Sequence, residues 1–117
     1  MSGDKRTTVA QFLKQFKQIA RTRGIDVIPR RKNKLDLIAL GITERIRETI
    51  ILSLTPDDFC KGPEPDRDRP GYLWFFGKTE NGDDIYIKLK IADTNGTYIA
   101  NCLSFHRAEH KLKYFKY

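Results

Sequence analysis

The chain predicts an α+β domain: N-terminal helices packed on one face of a twisted antiparallel sheet, with a three-stranded meander as the C-terminal half. Three observations predict it. Helical spacing is confined to the first half, where Val9, Phe12, Leu13, Phe16, Ile19 and Ala20 recur with Lys14, Lys17 and Arg21 on the outer side. Period-two alternation is confined to the second half, where Ile85, Ile87, Leu89 and Ile91 alternate with Tyr86, Lys88 and Lys90. Between these, Asn81-Gly82 and Asn95-Gly96 divide Tyr72–His106 into three runs, and Asn-Gly tolerates the positive φ that a tight hairpin turn needs.

At 117 residues the chain fits a single domain, residues 1–117, with one core. It is 39% hydrophobic and 32% charged, and no apolar run approaches the roughly 20 residues that span a bilayer, so no membrane partner is expected. No apolar segment of the signal-peptide kind opens the chain. Cys60 and Cys102 make no disulfide framework, which suits a reducing cytoplasm. The net charge of +7 is uneven: residues 1–34 hold ten Lys and Arg against two Asp, while the remaining 83 hold twelve basic and thirteen acidic residues. A basic segment on a near-neutral body suits a polyanionic partner, most often nucleic acid, although a solvated surface reads the same way.

In chain order, Thr8 to Gln11 forms a capping box that predicts a helix over 8–23, closed by Gly24. Ile25 to Ile28 is a short strand or extended piece stopped by Pro29. Arg30-Arg31-Lys32 with Lys34 forms a basic cluster suited to gripping phosphate or to a solvated turn. Asn33 is positioned to cap a helix over 33–40, ended by Gly41, and Thr43 starts another over 43–54 with Ile46, Ile50 and Leu54 in one stripe. Two short helices around a glycine turn also fit a helix-turn-helix DNA reader, but Glu44, Arg45, Arg47 and Glu48 balance one another instead of forming a basic recognition face. Thr55-Pro56 starts a helical turn carrying Phe59 and Cys60. Lys61 to Gly71, with three prolines and alternating charges, is a stiffened loop, and loops of that length in compact domains are often functional.

The faces of the meander divide by chemistry. Ile85, Ile87, Leu89 and Ile91 are core, whereas Tyr86, Lys88 and Lys90 give the other face a phenol and two ammonium groups. For the last strand, a three-residue loop from Thr94 to Gly96 would pair Ile91 with Ile99 and Ile85 with Phe105, leaving Ser104 opposite Tyr86 and His106 one step along; this register keeps the polar set out of the core. In the first hairpin a two-residue turn sets Trp74 and Phe76 inward with Gly77 across from Tyr86, and a bulged turn reverses this. The tail from Arg107 to Tyr117 adds an edge strand or lies across the core.

Asp58-Phe59-Cys60-Lys61, a Trp-containing strand, Ile85-Tyr86-Ile87-Lys88 and Ser104-Phe105-His106 follow one another in an order that resembles the MqsR family of bacterial type II toxins. The likeness runs over about residues 9–110. It implies a RelE-like fold, metal-independent cleavage of messenger RNA (an mRNA interferase) without any cofactor, and neutralisation by a cognate antitoxin, with the ribosome a further candidate partner. It also implies Lys61, Tyr86 and His106 as catalytic residues. His106 stands where the better-known branch has Lys, and Phe75 where it has Gln.

The residues bear on that chemistry directly. Metal-free RNA cleavage activates the 2′-oxygen, stabilises a dianionic phosphorane and protonates the departing 5′-oxygen. An imidazole changes charge around neutrality, so His106 suits proton transfer. Lys61 and Lys88 suit charge stabilisation, and Tyr86 suits orienting the 2′-hydroxyl or carrying a second proton. Arg67, Arg69 and Arg107 are candidate phosphate clamps, and Phe75 or Tyr98 candidate stacking surfaces for an unpaired base. Plainer roles exist for each: Tyr86 as a cross-strand packing partner, His106 as a surface histidine, Lys88 and Lys90 as edge-protecting charges. Cys102, His106 and His110 at four-residue intervals invite a metal, but no fourth ligand has suitable spacing, so no metal site is assigned. The competing functions are a non-catalytic nucleic-acid-binding module (a winged-helix regulator or RNA binder) and a protein whose polar sheet face docks a partner chain.

Overall fold

The computed structural model describes residues 2–29 and 31–117, with the side chains of residues 2, 3, 31 and 32 left out of the description. The expected basic cluster at Arg30, Arg31 and Lys32 therefore lies outside the described side chains. In order, the elements are α1 (Ser2–Arg23), β1 (Ile25–Val27), α2 (Arg31–Ala39), α3 (Glu44–Leu52), a 3-10 turn (Pro56–Asp58), β2 (Phe59–Pro65), β3 (Tyr72–Glu80), β4 (Asp83–Thr94) and β5 (Thr97–Arg107). Among the described residues the fold is α+β, with three helices and one five-stranded sheet in the order β1-β5-β4-β3-β2. The sheet is mixed, not antiparallel as expected, because β1 runs parallel to β5 through Ile25↔Ala100 to Val27↔Cys102.

The apolar stripe of α1 does what its spacing dictates. Val9, Phe12, Leu13, Phe16 and Ala20 are buried with Ile50, Ile51 and Leu54 against Phe59, Phe76, Ile85, Ile87, Leu89 and Phe105. Phe12 stacks on Trp74 with centroids 4.3 Å apart and planes 12° apart. The helix begins six residues before the expected start. Thr8 does not cap it; its Oγ1 donates to the Asp4 carbonyl at 2.7 Å inside the helix. The extra turn is held from outside, by Arg6 to Asp57 at 2.9 Å and by Lys5 donating to the Gly62 carbonyl. Thr43 caps α3 as expected, accepting from the Ile46 amide at 3.1 Å.

Asn33 is not a cap either. It lies inside α2, 2% exposed, and its side-chain amide donates to the carbonyls of Ile28 and Leu103 while its oxygen accepts from the Phe105 amide, each at 3.2 Å. One turn on, Asp36 accepts from the Arg107 amide at 2.9 Å. The i, i+3 spacing of a helix thus matches alternate amides of a strand edge, and α2 finishes the β5 edge where β1 stops.

Both hairpins close on two residues, with φ of 50° and 83° at Asn81-Gly82 and 53° and 85° at Asn95-Gly96. The first turn sets Gly77 opposite Tyr86 and Phe76 opposite Ile87, the first of the two expected registers. The second corrects the expected three-residue loop: Ile91 pairs with Ala100, and Ala100 and Cys102 point into the core. The conflict this would create further along is removed by a bulge, since Lys88 pairs with Ser104 but Leu89 with Cys102, leaving Leu103 unpaired. Phe105 therefore returns to the core face and His106 sits directly opposite Tyr86.

The expected loop from Lys61 onward begins as an edge strand. β2 pairs with β3 from Phe59↔Phe76 to Pro65↔Tyr72 with two register shifts, the irregular edge position where proline is tolerated. Phe59 and Cys60 accordingly open that strand instead of riding on a helical turn. The remaining loop is pinned by Asp66, whose carboxylate accepts from Lys90 at 2.7 Å with side-chain exposures of 10% and 5%. Lys90 is thus a buried ion-pair partner, not a free charge on the sheet face.

That hydrogen bond, with the Asp68 backbone amide assisting, holds the Asp66 carboxyl below the usual carboxylate range. A carboxyl depressed on folding contributes stability that is complete above its unfolded value near 4 and is lost as pH falls through the lower folded value. Lys90→Met should cost about 2 kcal/mol at pH 7, below the range for a fully enclosed pair because a surface loop lets Asp66 reach water again. Thermal melts from pH 6 to 3 should show a steeper drop in the wild type than in Asp66→Asn; parallel curves for the two would refute the assignment.

Candidate active site

The outer face of the sheet is built in rows. Lys61 pairs with Phe75, Phe75 with Lys88 and Lys88 with Ser104; the adjacent row is Gly77, Tyr86 and His106. Cross-strand partners share a face, so residues from four strands meet on one surface. Tyr86 and His106 stack with centroids 5.2 Å apart and planes 20° apart. Phe75 adjoins Tyr86 at 6.0 Å. The Nζ atoms of Lys61 and Lys88 lie 4.5 and 5.9 Å from the Phe75 centroid, so two ammoniums flank one ring.

Lys61, Tyr86 and His106 line a single cavity of about 670 Å³. The tail, residues 108–113, lines the same cavity. The tail neither adds a strand nor simply crosses the core; it straps the outer face and then turns to the helix side. Ala108 donates to the Asp84 carbonyl at 2.8 Å, Phe115 to the Phe59 carbonyl at 2.8 Å, and the Tyr117 hydroxyl to the Pro56 carbonyl at 2.6 Å. Between these anchors Leu112 drops into the space that Gly77 leaves: a Cβ there would stand 2.7 Å from Leu112 Cδ1. Gly77→Val should therefore lift the strap, costing about 1–2 kcal/mol, and Leu112→Ala in the same chain should recover most of that. Equal losses in the single and double variants by denaturant titration would contradict it.

The tail brings Glu109, His110, Lys111 and Lys113 to the cavity. None of them is among the candidates that the motifs single out; the signal for them is Gly77, since a glycine inside a strand marks a close approach. The four-residue spacing of Cys102, His106 and His110 does not group them, because that run is split in space. Cys102 is fully buried in the core, its Sγ 3.4 Å from the Ser104 carbonyl, and burial pushes its thiol up to about 12. Among the described residues no three of His, Cys, Asp and Glu are grouped to hold a metal.

The His106 ring carries a defined bond, its Nδ1–H donating to the Arg107 carbonyl at 2.9 Å. A carbonyl only accepts, so Nδ1 bears the hydrogen and in the neutral ring Nε2 keeps the lone pair. Cys60 also lines the cavity, but burial and then the Asp58 carboxylate push its thiol up to about 11, which keeps it protonated and a poor nucleophile. Lys61 approaches Glu64 at 3.5 Å, an exposed pair that leaves its charge largely available.

The remaining candidates stand apart. Arg67 and Arg69 are exposed on the loop beyond Asp66 and do not line the cavity. Arg107 pairs with Ile85, so alternation directs it to the helix-covered face, away from His106. Lys88 is on the site face at the edge of Phe75, outside the cavity lining. Of the two stacking candidates, Phe75 is 6% exposed and Tyr98 is half-exposed at the far end of β5. Among the described residues no helix is long and apolar enough to cross a membrane. No protein-family model, no curated protein and no solved structure matches the chain.

Proposed function

We propose that this chain is a metal-independent endoribonuclease that cleaves messenger RNA, the toxin of a type II toxin-antitoxin pair with a RelE-like arrangement. The observation that carries the reading is the meeting, in one cavity, of a lysine, a tyrosine and a histidine from three different strands. The order of the motifs around Lys61, Tyr86 and His106, which resembles the MqsR family, supports it.

His106 Nε2 takes the proton of a ribose 2′-hydroxyl, and the 2′-oxygen attacks the adjacent phosphorus. Lys61, beside Phe75, faces the charge that builds on the non-bridging oxygens, with Lys88 adding to the field. Tyr86 holds the imidazole by stacking and lines the same cavity. The products are a 2′,3′-cyclic phosphate and a 5′-hydroxyl. A cognate antitoxin would keep the host viable.

Expression of the wild type in a bacterial host should arrest growth and generate transcripts with new 5′-hydroxyl ends, and purified protein should cut single-stranded RNA in the presence of a chelator. Binding of RNA with no cleavage under either condition would favour the non-catalytic binder instead.

A further inference from the structure

We propose that His110 is the second proton carrier of the site, the general acid that protonates the departing 5′-oxygen, an assignment that rests on the ribonuclease reading. Two imidazoles line the same cavity, His106 from β5 and His110 from the strap that follows it. In-line displacement needs a base on the attacking side and an acid on the leaving side, so one imidazole cannot serve both in a single step.

The structure separates their roles. His106 is fixed by Tyr86 and by its Nδ1–H bond to Arg107, which orients Nε2 as the base. His110 lies at the bend of the strap, solvent-exposed and able to regain a proton from water after each turnover. The strap is anchored on both sides of it, by Ala108 on Asp84 and by Leu112 over Gly77, so its position relative to the sheet is defined. The charged and titratable groups lining the cavity with the two rings are Cys60 and Lys61 from β2, Tyr86 from β4, and Glu109, Lys111 and Lys113 from the strap. The surplus of ammoniums suits a site that holds a phosphodiester.

The step balances. The 2′-O–H proton passes to His106 Nε2 as the 2′-oxygen forms its bond to phosphorus. The bond from phosphorus to the 5′-oxygen breaks, and that oxygen takes the proton of the His110 imidazolium. His106 ends protonated and His110 neutral, and exchange with water resets both.

The test compares wild type, His106→Ala and His110→Ala on one RNA, at the linkage the wild type cuts, with the bridging 5′-oxygen either normal or replaced by sulfur. A thiolate leaves without a proton, so the sulfur substrate bypasses a general acid. His110→Ala should lose about a hundredfold or more on the oxygen substrate and recover to within about threefold of wild type on the sulfur one. His106→Ala should remain impaired on both. The alkaline limb of the pH–rate profile should flatten in His110→Ala alone. Equal loss on the two substrates, or full activity of His110→Ala on the normal RNA, would overturn the assignment of His110 while leaving the ribonuclease reading intact. A wild type that cuts neither substrate would overturn both.

Discussion

His106→Ala is expected to slow RNA cleavage by about a thousandfold. The ring is half-buried, and its contacts are the stack on Tyr86 and one bond to a neighbouring carbonyl, so its removal should cost only about 1 kcal/mol of stability. Activity and stability are thereby separable at this position. Single-turnover cleavage and a denaturant titration on the same preparation measure the two effects. A loss below about tenfold would remove His106 as the base. Tyr86→Phe is the matching control, because it retains the ring beside the imidazole and deletes only the hydroxyl; whatever activity it loses belongs to the phenol. Lys61→Met should fall between the two, about a hundredfold down, since it withdraws one charge from the developing phosphorane.

Asn33→Ala is expected to be the most destabilising polar substitution away from the cavity, at about 3 kcal/mol. Three hydrogen bonds end on this one side chain, and its removal leaves the Ile28 and Leu103 carbonyls and the Phe105 amide without it in a site that is 2% exposed. Two of those groups flank Ser104, two residues before His106. Asn33→Ala should therefore reduce cleavage as well, even well below its melting temperature, although Asn33 is not part of the cavity lining. Denaturant titration checks the first effect and cleavage at 15 °C below the midpoint the second. A destabilisation under about 1 kcal/mol would mean that water replaces the side chain.

Much of this architecture is legible in the amino-acid order. The α1 stripe, the two Asn-Gly turns and the two-faced β4 strand follow from spacing alone, as does the placing of Tyr86 and Lys88 on one face. What is not legible depends on contacts distant in the chain. Asn33 looks like a cap because caps are local, and its actual partners on β5 are 70 and 72 residues away. Ile25–Val27 is too short to declare its partner or its direction. The edge strand β2 contains prolines that argue against regular pairing, and only its bulged register accommodates them. Asn95-Gly96 signals the correct two-residue turn, but alternation alone favours the longer loop, because the bulge at Leu103 leaves no local mark in the sequence. The candidate site is half legible. The motif order points to Lys61, Tyr86 and His106, which line one cavity, whereas bringing His110 there takes the strap, and the strap packs on Gly77, a residue conspicuous for what it lacks.

The unpaired Leu103 makes β5 two strands of opposite phase spliced at a single residue. Upstream of the splice, odd positions look outward and even ones inward; downstream the parity is exchanged. A small, alternating sheet thereby gains a switch in its reading frame, and one backbone insertion determines whether an imidazole faces the core or the cavity. Evolution could retire or restore such a face by adding or deleting one codon, without touching any other residue on it.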